Sequence, residues 1–95
     1  MDFIHAREYL QQGDIVVVNS SHQCNIVLTT DSEFANYRSG RPFRHYGGHY
    51  KMFPARIPVP HTDNWNISLD LGGGSANIRY SIGYVKQQQP VSGRL

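Results

Sequence analysis

Trp65-Asn66-Ile67-Ser68-Leu69-Asp70-Leu71 carries an apolar residue at every odd position and a polar one at every even position. Successive strand side chains point to opposite faces of a sheet, so this spacing predicts a strand with one buried and one wet face. Asn77-Ile78-Arg79-Tyr80-Ser81-Ile82-Gly83-Tyr84 repeats the pattern, with Ile78, Tyr80, Ile82 and Tyr84 on one face. Between them lies Gly72-Gly73-Gly74-Ser75, a run that can take positive φ without steric cost, which predicts that the two strands form a hairpin.

Working outward, Gly13-Asp14 punctuates the chain before Ile15-Val16-Val17-Val18, a β-branched run suited to a strand covered on both faces. Asn19-Ser20-Ser21 supplies turn residues, and Cys24, Ile26 and Leu28 alternate on the next strand. Phe3 to Leu10 reads as a strand, since the turn at Gly13-Asp14 follows so soon. Asp31-Ser32 reads as a helix N-cap, and Phe34 and Tyr37, three apart, would pack the short turn after it onto the sheet. Arg41 to Phe53 has strand-like ends around Gly47-Gly48. In Ile57-Pro58-Val59-Pro60 neither proline can donate to a ladder, which restricts that segment to an edge strand or a connection.

These signals predict an all-β chain with minor α: a small antiparallel β-sandwich or partly open barrel, with one short helical turn near residues 32–38. Residues 1–86 are expected to form a single domain and 87–95 a flexible polar tail. At 95 residues the chain suffices for one modest core. The longest wholly apolar run is Ile15 to Val18, too short for a transmembrane helix. The N-terminus is acidic and soon broken by charge, so no secretory signal is expected, and the matches to the glycosylation sequon at Asn19 and Asn66 carry no weight. The single cysteine, Cys24, excludes an internal disulfide and fits a reducing cytoplasm.

The net charge of +2 hides a segregation. From Phe34 to His61 there is no acid, while Arg38, Arg41, Arg44, Lys51 and Arg56 give +5, and the remainder carries −3. The same segment holds Phe34, Tyr37, Phe43, Tyr46, Tyr50 and Phe53 with His45 and His49. Arginines beside aromatics suit a small anionic, nucleotide-like ligand, or an acidic partner surface. The competing reading has the rings in the core and the arginines as a solvated face. The expected ligand-binding residues are Arg38, Arg41 and Arg44 for charge, with Tyr46, His49 and Tyr50 for stacking and hydrogen bonds. A single-stranded nucleic-acid groove on the same segment is the alternative, and a structural or self-associating β domain is the third.

Other chemistry finds little support. Gly72-Gly73-Gly74-Ser75 lacks the lysine of a phosphate-binding loop and no helix follows it. His45 and His49 would stand about 13 Å apart on a strand, and only a turn at Gly47-Gly48 would bring them to one metal. His22 and Cys24 have no evident third and fourth ligands, and Cys24 fits a small buried apolar residue better than a nucleophile. Asp14 and Asp31 fit turn and cap roles, and neither a nucleophile elbow nor a carboxylate pair is present. The expectation is a binding protein, not an enzyme, with no cofactor, no metal and no membrane partner.

Four stretches together resemble the bacterial domain-of-unknown-function family 1883. They are Gly13 to Val18; Asp31 to Arg41; Tyr46-Gly47-Gly48; and Ile57-Pro58-Val59-Pro60 leading through Trp65 to Ile67-Ser68-Leu69-Asp70-Leu71-Gly72-Gly73. The resemblance spans roughly residues 3 to 85 and implies a small, mostly β domain. It brings no catalytic residue. Relatives of this kind joined to TIR domains would imply a sensing or ligand-recognition module, with any activity in the attached domain.

Overall fold

The computed structural model describes residues 4–71 and 77–87. In chain order the elements are β1 (Ile4–Leu10), β2 (Ile15–Ser20), β3 (Cys24–Thr30), α1 (Asp31–Arg38), β4 (Tyr46–Tyr50), β5 (Ala55–Pro58), β6 (Asp63–Asp70) and β7 (Tyr80–Val85). They build two antiparallel sheets, ordered β1-β6-β3-β4 and β5-β2-β7, and neither closes into a barrel. The protein is an all-β sandwich with one short helix among the described residues, and no described helix is long and apolar enough to cross a membrane.

The core lies between the sheets and follows the period-two pattern. Trp65, Ile67 and Leu69 of β6 and Ile26 and Leu28 of β3 are fully buried against Val16 and Val18 of β2, with Cys24, Ala55, Ile57 and Val59 beside them. The Trp65 indole N–H donates to the carbonyl of His61 at 2.9 Å, so the largest buried ring leaves no polar atom unsatisfied. Phe3 to Leu10 is a strand from Ile4 onward. Pro58 ends β5, an edge strand paired only with β2, where a missing N–H costs no ladder bond.

Three expectations need correction. β6 and β7 are not a hairpin: β6 pairs with β1 and β3, whereas β7 pairs with β2 in the other sheet. The glycine-rich segment therefore links two sheets, and Gly72 to Ser75 themselves lie outside the described residues, as does the tail from residue 88. Ile15 to Val18 is not covered on both faces, since Val16 and Val18 are fully buried but Ile15 and Val17 only partly so. The even positions of β6 are not wet: Asn66 and Ser68 are as buried as their apolar neighbours, because α1 lies over that face.

The turn before β2 is held by Asp14. Its carboxylate accepts the amide of Gln87 at 2.6 Å and that of Gln11 at 2.8 Å, and these bonds hold its pKa below the usual aspartate value. On β4, Gly47 sits at a φ of 108°, and a Cβ there would collide with the carbonyl oxygen of Ile26. Only glycine lets that edge strand approach β3 so closely.

Candidate functional site

α1 rests on the outer face of the four-stranded sheet through Phe34 and Tyr37, both buried. Its N-cap is Thr30, without a side-chain cap bond, which corrects the assignment of that role to Asp31-Ser32. Asp31 reaches sideways instead. Arg7 Nε and Nη2 donate to its two oxygens at 3.0 and 2.7 Å, and Asn66 Nδ2 donates to Oδ1 at 2.8 Å. Asn66 Oδ1 is then left to accept from His5 Nε2 at 2.8 Å, and the His5 ring stacks on Phe34 with centroids 4.2 Å apart. The donors, Arg7 first and Asn66 next, lower the Asp31 pKa to about 2. At the other end of the helix the Tyr37 hydroxyl donates to Asp70 at 3.2 Å. Burial, then the Asp70 charge, pushes the phenol up to about 12.

The chain leaving α1 folds back on the helix. The amide of Ser39 donates to the carbonyls of Ala35 and Asn36, and its hydroxyl donates to Ala35 as well. Gly40 takes a φ of 74°, the left-handed conformation that ends a helix at low cost, and lets the Arg41 amide reach the carbonyl of Asn36 at 2.9 Å. Phe43 then packs on Tyr37, with ring centroids 4.8 Å apart, and the Arg44 amide donates to Glu33 Oε1 at 2.8 Å. Arg38, Arg41 and Arg44 thus stand on backbone tied to one helix, and all three are exposed. The Arg38 guanidinium lies 5.7 Å from the Phe34 centroid. Among the described residues no carboxylate forms an ion pair with any of the three.

The other expected site residues are distributed differently. Tyr46 and Tyr50 oppose Leu28 and Cys24 on β3 and so share the inward face, where Tyr46 meets Trp65 edge-on at 5.8 Å and Tyr50 packs against the core. His49 is on the opposite face, with its ring nitrogens 3.0 Å from Asn25 Oδ1 and 3.4 Å from Gln23 Oε1. Strand alternation therefore separates these tyrosines from the histidine. The rings that accompany the arginines are Phe34, Tyr37, Phe43 and His45, joined in sequence by contacts of 6.3, 4.8 and 5.2 Å. His5, on a distant strand, completes this row, and nothing local in the sequence marks it.

β4 runs through Gly47-Gly48 without a turn, so His45 and His49 are not folded toward one another. Among the described residues no three His, Cys, Asp or Glu side chains are grouped to hold a metal ion. Cys24 is buried and its thiol is pushed up by that burial, which disfavours the thiolate a nucleophile needs.

The geometry defines a small all-β sandwich carrying a helix-anchored cationic loop. Residues 1–88 match the family described as Domain of unknown function (DUF1883), and the chain belongs to it. No curated protein matches the chain, and no solved structure does.

Proposed function

We propose that the chain is a binding module, not an enzyme, and that Arg38, Arg41 and Arg44 recognise an acidic surface on a partner protein. The observation that carries this reading is the loop from Arg38 to Arg44. Its backbone is fixed by bonds to Ala35, Asn36 and Glu33, while its three guanidinium groups have no acidic partner among the described residues. A planar guanidinium fork loses less entropy per hydrogen bond to a carboxylate than a lysine ammonium does. A helix C-terminus also favours cations, so the display is compatible with the fold. A groove for single-stranded nucleic acid is less well supported, because stacking needs open ring faces. Phe34 and Tyr37 are buried, and Tyr46 and Tyr50 lie on the opposite side of the sheet from α1. A bacterial cytoplasmic setting belongs to the same proposal, on the strength of the single reduced cysteine and the family resemblance.

The test is binding of a fluorescent Glu/Asp-rich peptide, with a scrambled neutral peptide as control, across a salt series. Affinity should fall as salt rises, and R38Q/R41Q/R44Q should weaken it at least tenfold, on the order of 1.4 kcal/mol. Unchanged affinity in the triple variant would overturn the assignment. Tighter binding to oligonucleotides than to the acidic peptide would favour the nucleic-acid alternative.

A further inference from the structure

β1 and β4 end the four-stranded sheet and β5 and β7 the three-stranded one, and these edges are guarded unequally. β1 carries Arg7 and Glu8, and the Lys86 ammonium donates to its Tyr9 carbonyl at 2.9 Å. β4 leaves the extended conformation at Gly47, with a φ of 108°. β5 has four residues, among them Arg56 and Pro58. Charges, prolines, distortions and short length are the means by which edges resist pairing with other chains. β7 has none of them: its six residues, Tyr80-Ser81-Ile82-Gly83-Tyr84-Val85, include no charge and no proline.

The phase of the ladder shows which backbone groups of β7 are open. The Ser21 amide donates to the Arg79 carbonyl at 2.8 Å, and the two residues continue the β2–β7 register. Ser81, Gly83 and Val85 therefore turn their N–H and C=O toward β2, since bonded and non-bonded pairs alternate along an antiparallel ladder. The other side of β2 agrees. The Val59 amide donates to the Asp14 carbonyl at 2.8 Å, which assigns the even residues of β2 to β5 and the odd ones to β7. Tyr80, Ile82 and Tyr84 thus present their backbone groups at the open edge, and no described strand takes them up. Their side chains share the inward face, opposite Ser20, Val18 and Val16, where Ile82 and Tyr84 are half-buried and Tyr80 is 50% exposed.

We propose that β7 pairs antiparallel with β7 of a second copy, about a two-fold axis at Ile82, and so joins the two three-stranded sheets into one. In this register alone Tyr80, Ile82 and Tyr84 all find partners within the strand: Ile82 meets Ile82, and Tyr80 meets Tyr84. A two-fold axis normal to the sheet keeps inward faces together, so ring stands beside ring and Ser81 beside Gly83. Arg79 then falls opposite Val85 and Lys86 opposite Ile78, so no like charges meet. Such self-complementarity is what an isologous contact requires, and it favours a second copy over an unrelated strand. A single strand edge is small beside the roughly 800 Å² per partner of a stable interface, so the dimer is expected to be weak, on the order of 100 μM. Arg38, Arg41 and Arg44 stand over the other sheet and take no part in it.

The test is sedimentation equilibrium of the full chain from about 30 μM to about 1 mM, with amide hydrogen exchange followed by NMR at both ends of that range. The mass should rise from monomer toward dimer. The Tyr80, Ile82 and Tyr84 amides should exchange about threefold more slowly in the concentrated sample, while those of Ser81, Gly83 and Val85 stay protected in both. Tyr80→Pro removes an N–H that faces the open edge, at the first residue of the strand, where proline is tolerated. It should weaken the dimer at least tenfold and leave the Ser81, Gly83 and Val85 amides protected. If that protection is lost, Tyr80→Lys, which sets a charge at the same half-exposed position, takes its place with the same expected weakening. R38Q/R41Q/R44Q should leave the dimer unchanged. A monomer throughout, or undiminished dimerisation in the Tyr80 variant, would overturn the proposal. So would edge amides that exchange equally at both concentrations: if fast, the contact lies elsewhere, and if slow, the chain covers its own edge.

Discussion

The outer faces of the two sheets are treated in opposite ways. On the four-stranded sheet that face carries His5, Arg7, Val27, Thr29, Asn66 and Ser68, and α1 covers its middle while His5 and Arg7 stay exposed. On the three-stranded sheet it carries Ile15, Val17, Asn19, Arg56, Pro58, Ser81, Gly83 and Val85, and no described element lies over it. Apolar content therefore does not decide which face is covered. Part of the polar face finds partners in the helix, since Asp31 joins Arg7 to Asn66 and Phe34 stacks on His5, while the buried Thr29 and Ser68 hydroxyls have no hydrogen-bond partner among the described residues. The other face is a small patch of β-branched side chains with the exposed Arg56 beside Val17, and single exposed apolar residues are common on protein surfaces. Covering the polar face also has a consequence for binding, since it fixes the helix from which Arg38, Arg41 and Arg44 project.

The contrast can be broken most severely at Phe34. Phe34→Ala removes the ring that holds α1 down and that stacks on His5, and it should cost about 3 kcal/mol in a urea melt. A loss below about 1 kcal/mol would mean that the helix is not part of the cooperative fold. Next in size is Asn66→Ala, which removes one hydrogen bond from Asp31 and one from His5 and should cost about 2 kcal/mol. Neighbours on β2 sharpen the same comparison. Val16→Ala, in the core, should lose about 2 kcal/mol, and Val17→Ala, on the uncovered face, less than about 1 kcal/mol. Equal losses would show that something covers Val17 in solution.

The smallest effect concerns pH. The Asp31 pKa is lowered from 3.8 to about 2, so the folded state prefers the ionised carboxylate. That preference stabilises the fold above the ordinary aspartate value and is lost as pH falls toward about 2. Asp31→Asn should flatten the pH dependence of the melting temperature in that window, and an unchanged slope would contradict the assigned cause.

Much of this was legible in the alternation of side chains. Trp65, Ile67 and Leu69 are buried as their spacing requires, Cys24, Ile26 and Leu28 likewise, and Phe34 and Tyr37 pack the helix down as three-residue spacing allows. Strand pairing was not legible, because a glycine-rich connection specifies a turn but not the strand on its far side. The burial of Asn66 and Ser68 was hidden for a related reason: an element elsewhere in the chain covers them, and no local period records it. The segregation of positive charge was plain in the sequence. That Arg38, Arg41 and Arg44 would stand on backbone tied to Asn36 and Glu33 was not.

The most direct test of the helix-borne cationic surface is an amide NMR map of the chain titrated with the Glu/Asp-rich peptide. Shifts should gather at residues 38–44 and along α1, leave Val17, Gly83 and Val85 unmoved, and vanish in R38Q/R41Q/R44Q. Shifts centred on Val17, Gly83 and Val85, or shifts that survive in the triple variant, would contradict it.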